Sequence, residues 1–283
     1  KLKQAAYDVA WIDVVWLAAF ADAIEPVTGA DTSDFLPTLE DSGTIDGNLL
    51  GYPMWVNSKI LIYRKDLIPE EKVPKTWEEY QNLAKELTTE EMTGTTVFGS
   101  GSDGVCSFLD FACQAGAEGL IFDEDGNVNI TDQAYVDALN FMVENANADY
   151  TPDDSLSTAA TESQELFTNG KIAMQLNWSH QYPAAVEALG EDKVGCAPMI
   201  AGDAGIGATT GPWYECVMKS SENKEMAQKY VEFMYDHNAD YMDLTLKIAG
   251  RTSVYEEAAK EPGNEHTTAV LETLGAEQSQ PSP

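Results

Sequence analysis

The chain has 283 residues, of which 43% are hydrophobic and 23% charged, a composition typical of globular proteins. Its 16 Lys and Arg residues against 48 Asp and Glu residues give a net charge of −32, which repels nucleic-acid phosphates and anionic lipid surfaces and favours a neutral ligand. A chain of this length exceeds the size at which one hydrophobic core stops growing, so two lobes are predicted.

Cysteine and membrane signals exclude further classes of protein. The cysteines at Cys106, Cys113, Cys196 and Cys216 form neither a CxxC pair nor a Cys/His cluster, so we expect neither a metal nor another cofactor. On a helix Cys106 and Cys113 would lie about 10 Å apart, too far for a disulfide, whereas a Cys196–Cys216 disulfide stays possible. The sequence has no apolar run of about 18 residues that could span a membrane, and no signal peptide is visible at Lys1.

A strand and a helix come first and carry two candidate ligand contacts. Residues 7–13 alternate as in a short strand, and this strand ends at Asp13. Trp16, Leu17 and Phe20 then form the apolar face of a helix that Pro26 stops. Asp13 and Trp16 therefore stand at or just after the end of a strand, where α/β proteins bind ligands.

The segment of residues 51–67, GYPMWVNSKILIYRKDL, is the next candidate for a binding surface. It opens on a Gly-Tyr-Pro turn and closes on a β-rich run at residues 60–63. Trp55 and Asn57 lie between the two and offer a flat apolar ring beside an amide that both donates and accepts hydrogen bonds. The alternative interpretation is an ordinary surface loop.

A helix with a clear start follows this segment. Thr76 and Glu79 have the spacing of a capping box, and apolar residues recur at helical spacing from Trp77, so Trp77 is predicted to belong to the core. Residues 96–104 predict a strand that gives way to a Gly/Ser loop, which carries Ser102 and Asp103. Such a loop lets the backbone approach a ligand, although a flexible turn is the more frequent meaning.

The middle of the chain alternates between helices and strands. Acids at residues 123–125 suggest a calcium loop, but the Asp125-Gly126 pair favours a hairpin because no bidentate Glu follows at the twelfth position. Helices are predicted over residues 132–145 and up to the Asn169-Gly170 pair. Residues 171–178 alternate as in a strand that delivers Asn177 and Trp178 to a loop.

The last third contains a glycine-rich passage before a new apolar strand. Residues 201–212 match no phosphate-binding motif, and they lead to Trp213 and Tyr214. Ser221 is predicted to cap a further helix, and Arg251 lies in a turn after it. The alternation of short strands with helices predicts α/β lobes with mainly parallel sheets, whose ligands lie beyond the carboxyl ends of strands.

In this order the segments resemble the extracellular solute-binding proteins of ABC importers, in the carbohydrate-binding group that includes maltose-binding protein. The matching stretches cover nearly the whole chain, and PKTWEEY after LIYRKDL is the most specific of them. The others are YDVAWID, GYPMWVNSKILIYRKDLI, LFTNGKIAMQLNW, NKEMAQKYVEFMY and GRTSVYEEA.

The resemblance implies a two-lobe α/β fold of the periplasmic-binding-protein type, with a ligand cleft between the lobes and hinge crossings near Asn57 and Trp213. The first lobe would comprise residues 1–57 and 214–262 without the family's first strand. The second would comprise residues 58–213 and 263–283 without its last helices. An unfilled sheet position of this kind would expose strand edges.

The resemblance also implies a function, a location and partners. We expect an extracytoplasmic monomer, either periplasmic or a cell-surface lipoprotein. It would capture a sugar or oligosaccharide and deliver it to the transmembrane permease subunits of the importer. We expect no catalytic residue. The alternatives are a polyamine or a phosphorylated polyol as ligand, or an enzyme acting on glycans. The predicted ligand contacts are Asp13, Trp16, Trp55, Asn57, Ser102, Asp103, Asn177, Trp178, Trp213, Tyr214 and Arg251.

Overall fold

The computed structural model describes residues 7–36, 38–117, 121–122, 127–245 and 248–281. Its strands are β1 (Val9–Asp13), β2 (Thr44–Ile45), β3 (Asn48–Leu49), β4 (Tyr52–Asn57), β5 (Lys59–Arg64), β6 (Met174–Trp178), β7 (Val194–Ala197), β8 (Ala201–Gly202), β9 (Gly205–Ile206), β10 (Thr209–Val217), β11 (Ile248–Ala249) and β12 (Gln280–Pro281). Its helices are α1 (Val14–Phe20), α2 (Leu39–Ser42), α3 (Trp77–Leu87), α4 (Gly101–Gln114), α5 (Gln133–Ala146), α6 (Ala160–Thr168), α7 (Gln181–Leu189), α8 (Lys224–Asp236), α9 (Asn238–Thr245), α10 (Thr252–Ala258) and α11 (Glu265–Leu274). Within these ranges every helix is too short or too polar to cross a bilayer.

The described residues form two compact units, each with its own sheet. Unit 1 holds the residues up to Asn57 together with Thr210–Asn264, and unit 2 holds Ser58–Thr209 and Glu265–Gln280. The chain therefore passes from unit 1 to unit 2 after Asn57 and returns after Thr209, a few residues before the boundary predicted at Trp213.

The sheet of unit 1 has the strand order β1-β10-β4-β11, and β12 pairs with β10. Alternation along β1 and β10 sorts their side chains onto two faces. Ile12, Tyr214 and Cys216 point into one core, where they pack with Leu17 and other apolar residues. The opposite face of the same strands carries Trp11, Asp13, Trp213 and Glu215, and Trp11 on this face contacts Tyr241 of α9.

The sheet of unit 2 has the strand order β6-β5-β7, with β5 in the middle. Its apolar residues pack against α3, α4 and α5 in a single core that includes Leu61, Met174 and Leu176. The four-residue apolar run at Ile60 to Tyr63 is buried throughout, as expected of a strand covered on both faces.

The prediction of mainly parallel sheets is wrong for the described residues. β10 runs antiparallel to β1 and β4, and β5 runs antiparallel to β6 and β7. A residue pattern records which side chains along a strand are buried, but strand direction depends on where a long connection brings the chain back. Between β5 and β6 that connection contains α3, α4, α5 and α6, so the local sequence carries no signal for direction.

Three further predictions in the helices and strands need correction. Residues 96–98 are extended but form no strand, and Ser102 and Asp103 lie in the first turn of α4 and not in a loop. Trp213 and Tyr214 lie inside β10 and not before it. Helix α8 begins after Asn223, while Ser221 accepts a hydrogen bond from the Asn223 amide at 3.0 Å and donates one to Asp8.

Several local predictions are confirmed. Thr76 caps α3 by accepting a hydrogen bond from the Glu79 amide at 3.2 Å, although the Glu79 carboxylate accepts from the amide of Lys75 and not from that of Thr76. Trp77 packs on the core of unit 2, its ring stacked on Phe141 at 4.3 Å. Its indole N–H also donates to Gln114 at 2.6 Å.

Three other sequence predictions concern the end of a helix, a turn and a disulfide. Gly170 follows α6 in the left-handed conformation, with φ of +68°, as predicted for the end of that helix. The Asp125-Gly126 turn lies outside the described residues, but Phe122 and Val128 on either side of it form an antiparallel bridge. Cys196 and Cys216 are both free thiols, so the possible disulfide is not formed.

Candidate functional site

Three of the predicted ligand residues form a row across the sheet of unit 1. Asp13 on β1 is paired with Trp213 on β10, and Trp213 is paired with Trp55 on β4. The two indoles are stacked, with ring centroids 5.3 Å apart and planes inclined by 16°. Trp55 is only 3% exposed, whereas Trp213 is half-buried, so Trp213 is the ring that presents a free surface.

Two aromatic residues outside the predicted set extend the row. Trp11 meets Trp55 edge to face at 4.6 Å, and Tyr241 of α9 lies 5.4 Å from Trp11 and 6.0 Å from Trp55. Contacts of this kind stabilise ring positions beyond simple apolar burial. The sequence signal for Trp11 was its place on the same strand face as Asp13, but Tyr241 lies on a helix that gives no pattern pointing to the row.

Asp13 lies where β1 ends and α1 begins. Its side chain caps α1 by accepting a hydrogen bond from the Val15 amide at 3.4 Å. Burial raises the pKa of this carboxyl, and hydrogen bonds from the Val15 and Val14 backbones oppose the increase. Trp16 on α1 is 57% exposed and packs against Phe20 with ring centroids 6.4 Å apart, so it stands beside the row and not in it.

A buried carboxylate lies on the same face as the row and was not among the predicted ligand contacts. Glu215 is 2% exposed, and its Oε2 has no hydrogen-bond partner among the described residues. Burial raises its pKa to about 7, and a hydrogen bond from the Trp11 side chain opposes this increase. An acid between Tyr214 and Cys216 in an apolar strand is the sequence signal that could have pointed to it.

Asn57 ends β4 and is paired with Gly211 on β10. It is half-buried, and its Oδ1 has no hydrogen-bond partner among the residues described. This oxygen is itself shielded from solvent, so a ligand hydroxyl could bond to it only after a local rearrangement. Asn57 remains a candidate contact at the edge of unit 1.

The structure does not bring Tyr214 or Arg251 to the row. Tyr214 is fully buried on the opposite face of β10, where its hydroxyl donates to the Leu39 carbonyl at 2.6 Å and bonds with Ser42. The Arg251 guanidinium is engaged by the Asp34 carboxylate at 2.8 Å and lies over the Tyr235 ring at 5.1 Å. Both side chains hold the fold together, so their predicted ligand contacts are not supported.

In unit 2 the structure joins Trp178 to Asp103. The indole N–H of Trp178 donates to Asp103 Oδ1 at 2.9 Å, and the Ala160 amide donates to Asp103 Oδ2 at 3.0 Å. Trp178 is half-buried at the end of β6, so part of its ring faces solvent. Ser102 is exposed beside Asp103 in the first turn of α4.

Asn177, the neighbour of Trp178, has a structural role in place of the predicted ligand contact. It is fully buried, and its amide donates to the Ala160 carbonyl at 3.0 Å and to Gln175 at 2.9 Å. Its oxygen accepts from the Trp178 amide at 2.8 Å. With these groups satisfied, Asn177 positions the end of β6 and has little capacity left for a ligand.

Comparison with known proteins identifies the family. The model of the family described as bacterial extracellular solute-binding protein matches residues 2–269 of the chain. The chain belongs to this family. The Deinococcus radiodurans protein described as a probable ABC transporter-binding protein is 26% identical over 250 residues, which are 82% of this chain and 59% of that protein.

Solved structures of similar proteins agree with this membership in the solute-binding family. Maltose-bound MalE3 of T. maritima is 27% identical with a TM-score of 0.85, over 99% of this chain and 75% of that one. The GacH receptor of Streptomyces glaucescens, described unliganded and with acarbose, is 26% identical with a TM-score of 0.79, over 99% and 74% of the two chains. The two-lobe α/β fold is therefore shown for this solute-binding protein.

This solute-binding protein spans about three fifths of the length of the curated relatives that it matches. The share is 59% for the Deinococcus protein and 64% for a putative binding protein of Brucella abortus, which is 25% identical over 268 residues.

Unit 2 of the solute-binding protein also has a large groove away from the predicted contacts. Its volume is about 1,080 Å³, and it lies between β7 and α11. Tyr182, Cys196 and Glu265 line it, and none of the predicted ligand residues does so among those described. The groove is therefore separate from the surface formed by Trp178 and Asp103.

Proposed function

We propose that the protein is the extracytoplasmic solute-binding component of an ABC importer and that it captures a sugar or oligosaccharide for delivery to the membrane permease. Membership of the extracellular solute-binding family supports the class of function. The maltose on the T. maritima protein and the acarbose on the Streptomyces glaucescens receptor support a carbohydrate ligand.

The observation that carries the proposal is the row of Asp13, Trp213 and Trp55. Sugar rings have apolar C–H faces that stack on an indole and hydroxyl rims that need hydrogen-bond partners. The half-buried Trp213 offers the flat surface, held in place by its stack on Trp55. Asp13 beside it offers carboxylate oxygens as acceptors for hydroxyl groups.

Unit 2 offers a second surface with the same chemistry. Trp178 is half-buried, and Asp103 fixes the edge of its indole by a hydrogen bond. The exposed hydroxyl of Ser102 lies in the same turn as Asp103. We infer that Trp178 and Ser102 contact solute, whereas Asp103 acts by orienting Trp178.

A phosphorylated polyol is a weaker candidate than a neutral sugar. Phosphate recognition needs free Arg or Lys groups. Arg251 is paired with the Asp34 carboxylate, and Lys59 is paired with the Asp110 carboxylate, so neither cation is free to bind a phosphate. A polyamine remains the other non-sugar alternative, because the chain carries a net charge of −32.

An enzymatic role is the remaining alternative to binding and transport. The family and the similar structures are binding proteins, so we propose that the protein returns its ligand unchanged. Release of reducing sugar from an oligosaccharide during long incubation would contradict this. We further propose that the protein acts as a monomer, either free in the periplasm or held at the cell surface by a lipid.

The test is a thermal-shift screen with maltose, maltotriose, acarbose, mannitol and spermidine, followed by calorimetry on each hit. A ligand at 100 times its dissociation constant adds about 2.7 kcal/mol to the free energy of unfolding, which is readily measured. A hit is repeated on Trp213→Ala, which should lose most of the shift, and Phe233→Ala is its matched control because Phe233 is an exposed aromatic residue of unit 1 outside the row. The carbohydrate proposal fails if spermidine alone shifts the transition, or if no sugar or polyol does.

A further inference from the structure

Unit 2 contains a buried cation that was not among the predicted ligand contacts. Lys59 is the first residue of β5, and it is 1% exposed. Its ammonium lies 2.9 Å from Asp110 Oδ2, 2.9 Å from Ser107 Oγ and 3.5 Å from the Asp103 carbonyl. Three acceptors match the three donors of an ammonium group, so the cation is satisfied within the protein.

The Asp110 carboxylate continues this set of contacts to another strand. Its Oδ1 accepts hydrogen bonds from both the amide and the hydroxyl of Thr209, each at 2.7 Å. Thr209 begins β10 and is the last residue of unit 2 before the chain returns to unit 1. Lys59 stands beside the other passage, which follows Asn57. The buried ion pair of Lys59 and Asp110 thus holds, within unit 2, both the segment that follows Asn57 and the segment that ends at Thr209.

The same cation fixes Trp178 in orientation. Lys59 is paired with Trp178 across β5 and β6, and its Nζ lies 5.0 Å from the centre of the indole. At such a distance a cation is attracted to the face of the ring. Asp103 binds the edge of the same indole and gives its carbonyl to Lys59. The ring is therefore held at its face and its edge by two connected residues.

Stability alone is a weak reason for a buried ion pair. Well-packed apolar residues in its place are often neutral or stabilising, because desolvation of both charges offsets their attraction. The residues that the ion pair contacts say more about its role. Lys59 contacts Trp178 and Asp103, and Asp110 contacts Thr209.

We propose that Lys59 and Asp110 are positioning residues that hold the Trp178 indole in the orientation in which it stacks on solute. The inference rests on the proposed function, since it assigns Trp178 to a solute surface. It also explains why Asp103, with both carboxylate oxygens engaged, acts on solute through the ring it orients.

The experiment removes the charges together, so that no unpaired charge stays buried. The double variant Lys59→Met with Asp110→Asn keeps the apolar stem at residue 59 and an acceptor for Thr209. The control neutralises the exposed pair of Lys72 and Glu86, 2.9 Å apart in the same unit, by Lys72→Met with Glu86→Gln.

The first readout reports on the indole without any ligand. The emission of Trp178 is isolated by subtracting the spectrum of each protein carrying Trp178→Phe, and its accessibility is measured by acrylamide quenching. We expect a shifted emission maximum and at least twofold stronger quenching in the Lys59/Asp110 double variant, with no change in the control. Unchanged emission and quenching in the folded double variant would overturn the proposal.

The second readout is the affinity for maltotriose, measured by calorimetry. We expect a loss of at least tenfold in the double variant and none in the control. If the parent chain binds no sugar, the proposed function fails, yet the emission of Trp178 still tests the positioning role. If the double variant does not fold, Asp110→Asn alone keeps the acceptor for Thr209 and removes the charge that holds Lys59, and unchanged Trp178 quenching in that variant would equally refute the role.

Discussion

Replacing Glu215 with glutamine should remove a pH dependence from the stability of the protein. Glu215 is 2% exposed in unit 1, and burial raises its pKa from the ordinary 4.5 to about 7. In the unfolded chain the carboxyl releases its proton near pH 4.5, whereas in the folded chain it keeps the proton up to about pH 7. The folded state therefore loses stability as the pH rises between these two values.

The size of the effect follows from the difference between the two pKa values. Each pKa unit corresponds to roughly 1.4 kcal/mol, so a difference of about 2.5 units between the folded and unfolded chains lowers the free energy of unfolding by about 3 kcal/mol. This loss of stability is complete above pH 7 and absent below pH 4.5. Tyr230 and Cys216 are the other titratable groups whose pKa the charge of Glu215 raises. The amide of Glu215→Gln keeps an acceptor for Trp11 and cannot ionise, so the variant should gain stability relative to the parent as the pH rises.

Urea unfolding at pH 4.5, 5.5, 6.5 and 7.5 measures the difference. We expect the variant to match the parent at pH 4.5 within about 1 kcal/mol and to exceed it by up to about 3 kcal/mol at pH 7.5. Glu256→Gln on α10 is the control, because that side chain is exposed and should change neither the slope nor the offset. Parallel pH profiles for the parent and Glu215→Gln would show that Glu215 does not carry a raised pKa.

Substitutions at three further positions test the site and the core. Trp213→Ala should weaken sugar binding at least tenfold in calorimetry with little change in unfolding temperature, whereas Trp213→Phe should keep most of the affinity. Trp77→Ala should lower the free energy of unfolding by about 3–5 kcal/mol in urea titrations without a specific effect on affinity, because the ring packs on Phe141 and bonds to Gln114. Gly94→Ala should destabilise by about 3 kcal/mol or more, since a Cβ there would lie 2.1 Å from the backbone oxygen of Ala84, and a normal urea midpoint would refute that packing.

Local elements of this protein follow from the sequence because the residues that determine them are neighbours. Thr76 and Glu79 are three residues apart, and the cap of α3 needs only that spacing. The start of α5 after Asp132 and the left-handed Gly170 after α6 are determined in the same way. The aromatic ends of β1, β4 and β6 could likewise be identified as candidate contacts from the pattern of single strands.

The tertiary structure decided which of those candidate side chains are engaged inside the fold, because their partners come from distant parts of the chain. Arg251 is engaged by Asp34, 217 residues away, and Tyr214 by the carbonyl of Leu39, 175 residues away. The strand pattern around Tyr214 shows that alternate residues face opposite sides, but not which side is the core. Pairing β10 with β1 and β4 settles that choice and brings Trp213 onto Trp55.

Strand direction and the burial of charges cannot be predicted from the sequence for the same physical reason, because both depend on residues that are far apart in the chain. The antiparallel arrangement of β5 with β6 depends on the path of a connection with several helices, and no residue in either strand encodes it. Lys59 resembles a solvent-exposed cation in the sequence, and only the approach of α4 supplies Asp110 at 2.9 Å and makes its burial possible. The sequence by itself thus determined the local elements and the family, while long-range packing determined the sheets, the aromatic row and the charges held inside the fold.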